Sequence, residues 1–319
     1  MEPQQITLPA ADWIAARAEA LFRHSPTCFL RQLPTGPQQQ RYGTGAAARF
    51  GSGAGEEVLM AADAGSQWLL QHLPWDTAFF GTDTYRLLTG LFGADANPAA
   101  LAVAARELRA TLAARGSYYA FSVVPAEDTA LLQALTGGGW QLIETRLNFY
   151  CPVVEATLPA PAPVRLARPD EAAHIGRISA AARNGYDRFH ADPWFGEVRA
   201  DALLARYAEA ATEGSYADAV LVPDEAGLPV DSFLAIGDTA AEAGVPGSSV
   251  SRVLLTAVGP QNRGWHLKLV AETVRRAADK QLPYVLMTTQ ATNGAVFRTC
   301  EKLGFRLGST KHVLACHGN

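Results

Sequence analysis

The chain has 319 residues, of which 48% are hydrophobic and 18% charged, with a net charge of −4. This hydrophobic content supports packed cores and excludes a disordered chain, and the acidic balance argues against a nucleic-acid partner, which requires a basic face. The length suits one large domain or two of ordinary size.

The cysteines and the apolar runs indicate the cellular compartment in which the protein is expected. No apolar run reaches the roughly 18 residues of a membrane span, and the polar, acidic start does not resemble a secretory signal. The cysteines are scattered and form no CxxC pair: Cys28, Cys151, Cys300 and Cys316. We therefore expect no disulfide framework, no metal site and no membrane contact, and we predict a cytoplasmic protein.

The first half of the chain alternates between helical and extended patterns. Helices are predicted at about 10–22, 99–115 and 128–135, the last capped by Asp128. Strands are predicted at 66–70, 118–124 and 140–150, with a strand or turn after Trp75 and a loop at 43–55. This alternation is typical of an α/β sandwich.

Residues 151–164 carry four prolines, which disfavour both a helix and a central strand. They indicate an extended linker. The predicted organisation is an N-terminal domain at 1–150, a linker at 151–163 and a C-terminal domain at 164–319.

After the linker the alternation returns more clearly. Helices are predicted at 170–182, capped by Asp170, and at 200–213, 264–280 and 293–303. Strands are predicted at 165–167, 219–222, 232–237, 250–258, 284–289 and 305–314. The two halves each contain a helix, a glycine turn, an aromatic residue and a strand, which is compatible with a weak internal duplication or with common α/β grammar.

The segment 250–280 is the first whose pattern indicates a ligand-binding site. A strand runs through Gly259 and Pro260 to Gly264 and then into a helix, so unpaired N–H groups would lie at the helix start, where they suit a phosphate. Arg263 and Lys268 add positive charge nearby. Taken alone, this pattern is more often a plain turn.

The following elements sharpen that interpretation. The strand 284–289 leads to Asn293, a helix, and then Lys302-Leu303-Gly304-Phe305. With the Gln261-x-x-Gly264 turn, this order resembles the GCN5-related N-acetyltransferase superfamily over about 163–314. The resemblance implies an α/β fold with a mixed, splayed β-sheet flanked by helices, preceded by a smaller, incomplete α/β domain of the same type.

The resemblance also implies a site and a donor, acetyl-CoA. Backbone groups near Thr256 and Val258 would hold the pantetheine arm, and the Val258 N–H would polarise the thioester carbonyl. Asn293 would bond to the same arm. The pyrophosphate would be held by amides of the following loop: Gln261, Asn262, Arg263, Gly264, Trp265 and His266.

Two residues depart from the pattern. His266 stands where a small residue is usual, and it could crowd the phosphates or donate to one of them. Cys300 stands where many members have a tyrosine that protonates the leaving thiolate. A thiol could serve in that role, and the equal alternative is a small buried hydrophobe.

A narrower resemblance concerns the acceptor. Segments 73–81 (LPWDTAFFG), 131–149 and 184–195 are similar to parts of TDP-fucosamine acetyltransferases and related sugar-nucleotide N-acetyltransferases. In the last segment Arg188 could pair with a phosphate, Tyr186 and Trp194 could stack on a ring, and His190 could take an amine proton. The alternative is that these aromatic residues cap the core.

The sequence thus predicts an acyl-CoA-dependent N-acyltransferase, with a nucleotide-linked amino sugar as its expected acceptor. The resemblance also implies a homodimer. Two alternatives stay open. One is the same chemistry on another small amine. The other is a degenerate protein of this fold that binds a ligand or a partner without turnover.

Overall fold

The computed structural model describes residues 8–52, 57–62, 65–240 and 248–318, with the side chains of 57–62 excepted. The helices are α1 (Ala11–Ala16), α2 (Ala18–Arg23), α3 (Thr35–Tyr42), α4 (Thr44–Ala48), α5 (Pro74–Phe80), α6 (Pro98–Ala113), α7 (Thr129–Gly137), α8 (Ala172–Ala181), α9 (Arg188–Ala191), α10 (Glu197–Thr212), α11 (Trp265–Asp279) and α12 (Gly294–Leu303). The strands are β1 (Glu57–Ala62), β2 (Ser66–His72), β3 (Asp83–Phe92), β4 (Tyr118–Pro125), β5 (Gln141–Pro152), β6 (Val164–Leu166), β7 (Ala219–Pro223), β8 (Ser232–Thr239), β9 (Val250–Val258), β10 (Tyr284–Gln290) and β11 (Arg306–Gly318).

The α/β class is confirmed, and the differences from the sequence prediction are local. The stretch after Trp75 is helix α5 followed by the long strand β3, and α4 occupies part of the loop predicted at 43–55. Residues 53–55 of that loop lie outside the described residues. Asp170 does not cap α8, because a 3₁₀ turn precedes the helix and the Glu171 carboxylate accepts from the Arg168 amide instead (2.8 Å).

The chain folds as two compact units. Unit 1 comprises Met1–Thr145 and Thr310–Asn319, and unit 2 comprises Arg146–Ser309. This division differs from the predicted one in two places, since most of β11 belongs to unit 1 and the second half of β5 belongs to unit 2. The proline-rich stretch lies within unit 2, where the Ala162 amide donates to Glu272 (2.8 Å).

Unit 2 contains an open sheet with the strand order β6-β7-β8-β9-β10-β5. All neighbouring strands are antiparallel except β9 and β10, which are parallel and are connected by α11. A parallel pair needs such a crossover helix, because a hairpin cannot join it.

Alternation along the strands builds two cores in unit 2, one on each face of the sheet. On β8, Leu234 and Ile236 pack under α11 and α12, whereas Phe233 and Ala235 pack under α8 and α10. Successive side chains of a strand point to opposite faces, so one strand serves both cores. Unit 2 therefore has three layers, with helices on both faces of a mixed sheet.

Unit 1 repeats this plan with the strand order β1-β2-β3-β4-β11. Its only parallel pair among the described strands is β3 with β4, which α6 connects. On β2, Trp68 and Leu70 pack under α6 and α7, and Leu69 packs against the N-terminal helices. Within the described ranges, no helix is both long and apolar enough to cross a membrane.

Candidate active site

The central feature of unit 2 is a gap between its two parallel strands. The β9–β10 ladder runs from Val250 opposite Tyr284 to Val253 opposite Met287, although both strands continue beyond these residues. We call this gap the strand split. Within the split, the inner edges of β9 and β10 are separated, while their outer edges stay paired with β8 and β5. Inner-edge backbone groups at such a split are suited to hydrogen-bond a bound chain.

A β-bulge accompanies the split. On β8, Ala235 pairs with Leu255 and Ile236 pairs with Val253, so Leu254 is an extra residue on β9. A bulge bends its strand and re-aims the next residues. It explains locally why β9 leaves β10 at this position.

A cavity of about 430 Å³ opens at the strand split. Its walls come from β9, β10, the start of α12, α10 and the segment between α8 and α9. The polar lining residues are Arg146, Ser179, Arg183, Asn184, Asp187, Arg188, Tyr207, Tyr216, Thr256, Thr288, Thr289, Gln290 and Asn293. The volume is typical of small-molecule sites.

The turn after β9 supplies an open helix start. Gly264 has a left-handed backbone (φ 88°), and no side chain among the described residues caps the first turn of α11. The first N–H groups of a helix have no partner within the helix, and the dipole favours an anion there. The sequence prediction of an anion-binding helix start at Gly264, Trp265 and His266 thus has a suitable backbone.

Gln261 and Asn262, predicted in the same loop, anchor the loop to Asp231 and Ser232. The Asn262 side chain is buried, and its Oδ1 accepts from the Asp231 amide (3.0 Å) and the Ser232 hydroxyl (2.7 Å). The Gln261 amide donates to the Asp231 carboxylate (2.8 Å), which leaves that N–H engaged within the protein. Arg263 is exposed.

The His266 side chain turns inward, towards α12. Its Nδ1 lies 2.9 Å from the Thr299 hydroxyl, which itself donates to the Ala295 carbonyl (3.4 Å). Burial lowers the pKa of His266 to about 4, so the ring is neutral at pH 7. With Nδ1 as the donor, Nε2 is an acceptor, and this tautomer does not suit donation to a phosphate.

Of the residues predicted along the donor's arm, two line the cavity. Thr256 lies on β9, with its hydroxyl donating to the Phe233 carbonyl (3.0 Å). Asn293 caps α12 by accepting from the Val296 amide (3.3 Å). Val258 ends β9 opposite Ser232 and is not among the lining residues.

Cys300 lies in the hydrophobic core of unit 2. It is 1% exposed, packs with Cys151 and Leu303 among others, and does not line the cavity. Burial raises the pKa of its thiol to about 12. This placement fits the small buried hydrophobe, the second of the two roles that the sequence left open.

The predicted substrate-binding residues separate into two groups. Arg188 lines the cavity, with its guanidinium 4.3 Å from the Phe189 ring centroid. The other three do not line it: Tyr186 is 63% exposed, and Trp194 stacks edge-on against Phe195. His190 is held by two carboxylates, with Nδ1 2.8 Å from Asp187 and Nε2 2.9 Å from Asp201. Both ring nitrogens are thus engaged, which leaves neither for an amine proton.

Several lining residues were not predicted from the sequence. Arg146 lies on β5 opposite Gln290, in a segment that the sequence assigned to the other domain. Tyr207 and Tyr216 come from α10 and the turn after it, and their rings stack at 5.5 Å. The Asn184 amide donates to Gln290 (2.8 Å), which ties the segment after α8 to the end of β10. Only the strand pairing brings Arg146 here, so no local pattern could have marked it.

Solved structures share this fold. A GCN5-related N-acetyltransferase from Sphaerobacter thermophilus aligns with a TM-score of 0.55 and 11% identity, over 97% of this chain and 94% of that chain. A tandem GNAT protein from the clavulanic acid biosynthesis pathway aligns with a TM-score of 0.51 and 16% identity, over 97% and 94%. The glucosamine N-acetyltransferase region of a fungal multi-domain GH3 β-N-acetylglucosaminidase aligns at 0.52 and 12%, over 79% of this chain and 31% of that chain.

These comparisons establish the fold: a mixed, open sheet flanked by helices, of the GCN5-related N-acetyltransferase type, in a two-unit arrangement that the tandem protein also has. No protein-family model matches the sequence, and no curated protein matches it either.

Proposed function

We propose that the protein is an acyl-CoA-dependent N-acyltransferase that uses acetyl-CoA to acylate the primary amine of a nucleotide-linked amino sugar. The observation that carries the proposal is the strand split of unit 2, with its bulge at Leu254, its cavity, and an uncapped helix start at Gly264. The solved structures with this fold that are named as N-acetyltransferases support the same chemistry.

The residues of unit 2 fit the donor in two places. Inner-edge backbone groups of β9 beyond Val253 would pair with the amides of the pantetheine arm, next to Thr256 and Asn293. The N–H groups at the start of α11 would hold the pyrophosphate. The inward turn of His266 removes the side chain that could have crowded this approach.

The reaction needs only positioning and one proton transfer at each end. The amine nitrogen attacks the thioester carbonyl carbon, the C–N bond forms and the C–S bond breaks. The nitrogen gives up one proton to water, and the released thiolate takes up one, so that no net proton is gained or lost. Holding both substrates in one cavity makes the attack effectively intramolecular. A hydrogen-bond donor on β9, assigned to the Val258 N–H by resemblance, would stabilise the oxyanion.

The charge of the cavity supports an anionic acceptor. Three arginines line it, Arg146, Arg183 and Arg188, and Asp187 is the single carboxylate among the described lining residues. Arg183 is already ion-paired with Asp201 (2.6 Å). Guanidinium groups suit phosphate oxygens, which a nucleotide-linked sugar supplies. The glucosamine specificity stated for the fungal region supports an amino sugar in this fold.

Calorimetric titration with acetyl-CoA and with CoA tests the first half of the proposal. A Kd of about 1–100 µM would support it. An acceptor screen that follows CoA thiol release, starting with nucleotide amino sugars, tests the second half. Thiol release with another small amine alone would keep the chemistry and replace the acceptor.

A non-catalytic ligand-binding protein of the same fold is the second candidate. The burial of Cys300 and the engagement of the Gln261 amide by Asp231 favour it. If the folded protein binds neither acetyl-CoA nor CoA, the non-catalytic protein is the better assignment. The cytoplasmic location and the homodimer stay predictions.

A further inference from the structure

Unit 1 contains a cavity of its own, with a volume of about 280 Å³. Its apolar wall includes Leu21, Phe50 and Leu69, which are buried. Its basic wall comprises Arg41, Arg86 and Lys311, and none of the described lining residues is acidic. The His24 ring also lines the cavity, but burial lowers the pKa of His24, so this ring adds no charge at pH 7.

The cavity lies at the strand split of unit 1. The β3–β4 ladder ends at Leu87 opposite Ser122, and the next residues, Leu88 and Val123, line the cavity. Leu88 is a β-bulge on β3, because Leu69 pairs with Thr89 and Leu70 pairs with Leu87. The bulge and the split thus recur in unit 1 with the same spacing as in unit 2.

The basic residues follow from the same strand register. Lys311 lies on β11 opposite Pro125, at the end of β4, just as Arg146 of unit 2 lies opposite the end of β10. The Lys311 ammonium is half-buried and donates to the His24 carbonyl (3.2 Å), which holds it at the cavity wall. Arg41 and Arg86 are exposed at the rim.

The donor of the proposed reaction does not suit this cavity. Arg17 fills the inner part of the split, where its Nε donates to the Gly90 carbonyl (3.2 Å) and its two terminal nitrogens donate to Asp128 (2.8 and 2.6 Å). Asn97 caps α6 by accepting from the Ala99 and Ala100 amides, so those donors are not left for a pyrophosphate. The remaining space suits a short ligand.

We propose that the unit 1 cavity is a second binding site, which takes a small organic carboxylate with an apolar body. The basic wall would pair with the carboxylate, and the leucine and phenylalanine side chains would enclose the apolar part. A charge-assisted hydrogen bond to Lys311 would be stronger than one to a neutral group, which gives the site a preference for anions. This site is separate from the proposed acyl-transfer site.

Benzoate is the probe, and benzamide is its uncharged isostere. Titrations followed by NMR saturation transfer on the full chain should give a benzoate Kd of roughly 0.1–10 mM, as expected for a ligand of about nine non-hydrogen atoms. Benzamide should bind about tenfold more weakly. Equal binding of both compounds, or no benzoate signal with the folded protein, would overturn the proposal.

Two lysine variants assign the site. Lys311→Met should weaken benzoate binding about tenfold, because it removes the charge and keeps a similar side-chain volume. Lys302→Met, at an exposed position on α12 of unit 2, is the matched control and should bind like the unchanged protein. Thermal melting of both variants confirms that they fold.

A third variant separates this site from the cavity of unit 2. If Arg146→Met abolishes benzoate binding and Lys311→Met does not, benzoate occupies the other cavity and the proposal is wrong. Because acetyl-CoA does not enter these titrations, the result does not depend on the acyltransferase assignment.

Discussion

The two strand splits of this molecule share a backbone and differ in what occupies them. In each unit a β-bulge lies at the first residue of the split, and an Asx residue caps the helix after the second strand: Asp128 in unit 1 and Asn293 in unit 2. Asn293 lines an open cavity. Asp128 is buried and carries a charge, which Arg17 neutralises across the split of unit 1.

One charge pair thus spans the split of unit 1, at a place where the split of unit 2 is lined by a neutral side chain. A buried carboxylate requires a partner, and Arg17 supplies it by placing its guanidinium against the β3 carbonyl of Gly90. Gly90 on β3 and Thr256 on β9 are equivalent positions, because each lies three residues beyond the last ladder pair of its unit. In unit 2 the neutral Asn293 needs no cation, and the inner edge of β9 stays accessible.

The largest expected effect comes from breaking the charge pair of unit 1. Arg17→Met leaves Asp128 buried without its main partner, which should lower the free energy of unfolding by about 3–5 kcal/mol. Arg168→Met removes an exposed pair with Glu171 in unit 2, and it should cost less than about 1 kcal/mol. Urea denaturation monitored by circular dichroism measures both. Equal midpoints for the two variants would show that the pair does not hold the split of unit 1.

The same pair predicts a pH dependence. Burial opposes ionisation of Asp128, but the neighbouring His24 ring and the Arg17 guanidinium outweigh it and lower the pKa to about 2. A carboxyl group with a lowered folded-state pKa stabilises the fold above its unfolded pKa of about 3.9, and this contribution is lost as the pH falls through about 2.

The difference in unfolding free energy between the unchanged protein and Arg17→Met should therefore be constant near pH 7, and it should shrink as the pH is lowered towards about 2. Chemical denaturation at a series of pH values tests this. A difference that grows on acidification would contradict the assigned ionisation of Asp128.

The helix start of unit 2 gives the next effect. Gly264→Ala places a side chain at φ 88°, so the turn must shift and the N–H groups of α11 would be re-aimed. We expect acetyl-CoA affinity to fall at least about tenfold, which is about 1.4 kcal/mol. Calorimetry measures the affinity.

Gly227→Ala is the matched control for Gly264→Ala. Gly227 also has a left-handed backbone (φ 79°), and neither glycine has a heavy atom within 4 Å of an added Cβ. Both variants should lose similar stability, about 1–2 kcal/mol, while only Gly264→Ala loses acetyl-CoA binding. A similar loss of affinity in the control would remove the specific role of the helix start.

Much of unit 2 could be predicted from its sequence, because its signals are local. The apolar spacing of α11, the cap at Asn293 and the glycine at Gly304 all act within one or two turns, and the structure places these elements within a few residues of the predictions. The partners that line the cavity are a different matter. Arg146 reaches it through pairing with β10, and the engagement of His190 by Asp187 and Asp201 depends on packing between helices. Such long-range partners leave no periodic trace along the chain.

The smallest expected effect concerns Cys300. Because its thiol is buried in the core of unit 2 and does not line the cavity, Cys300→Ala should change kcat by less than about twofold while lowering the free energy of unfolding by about 1–2 kcal/mol. Cys151→Ala is the matched control, since Cys151 is buried in the same core and was never a candidate for chemistry. Steady-state kinetics with acetyl-CoA and the acceptor found in the screen, together with urea denaturation, measure both quantities. Should Cys300→Ala alone lower kcat about tenfold or more with acetyl-CoA affinity unchanged, the thiol is the proton donor after all, and the core around it must open during turnover.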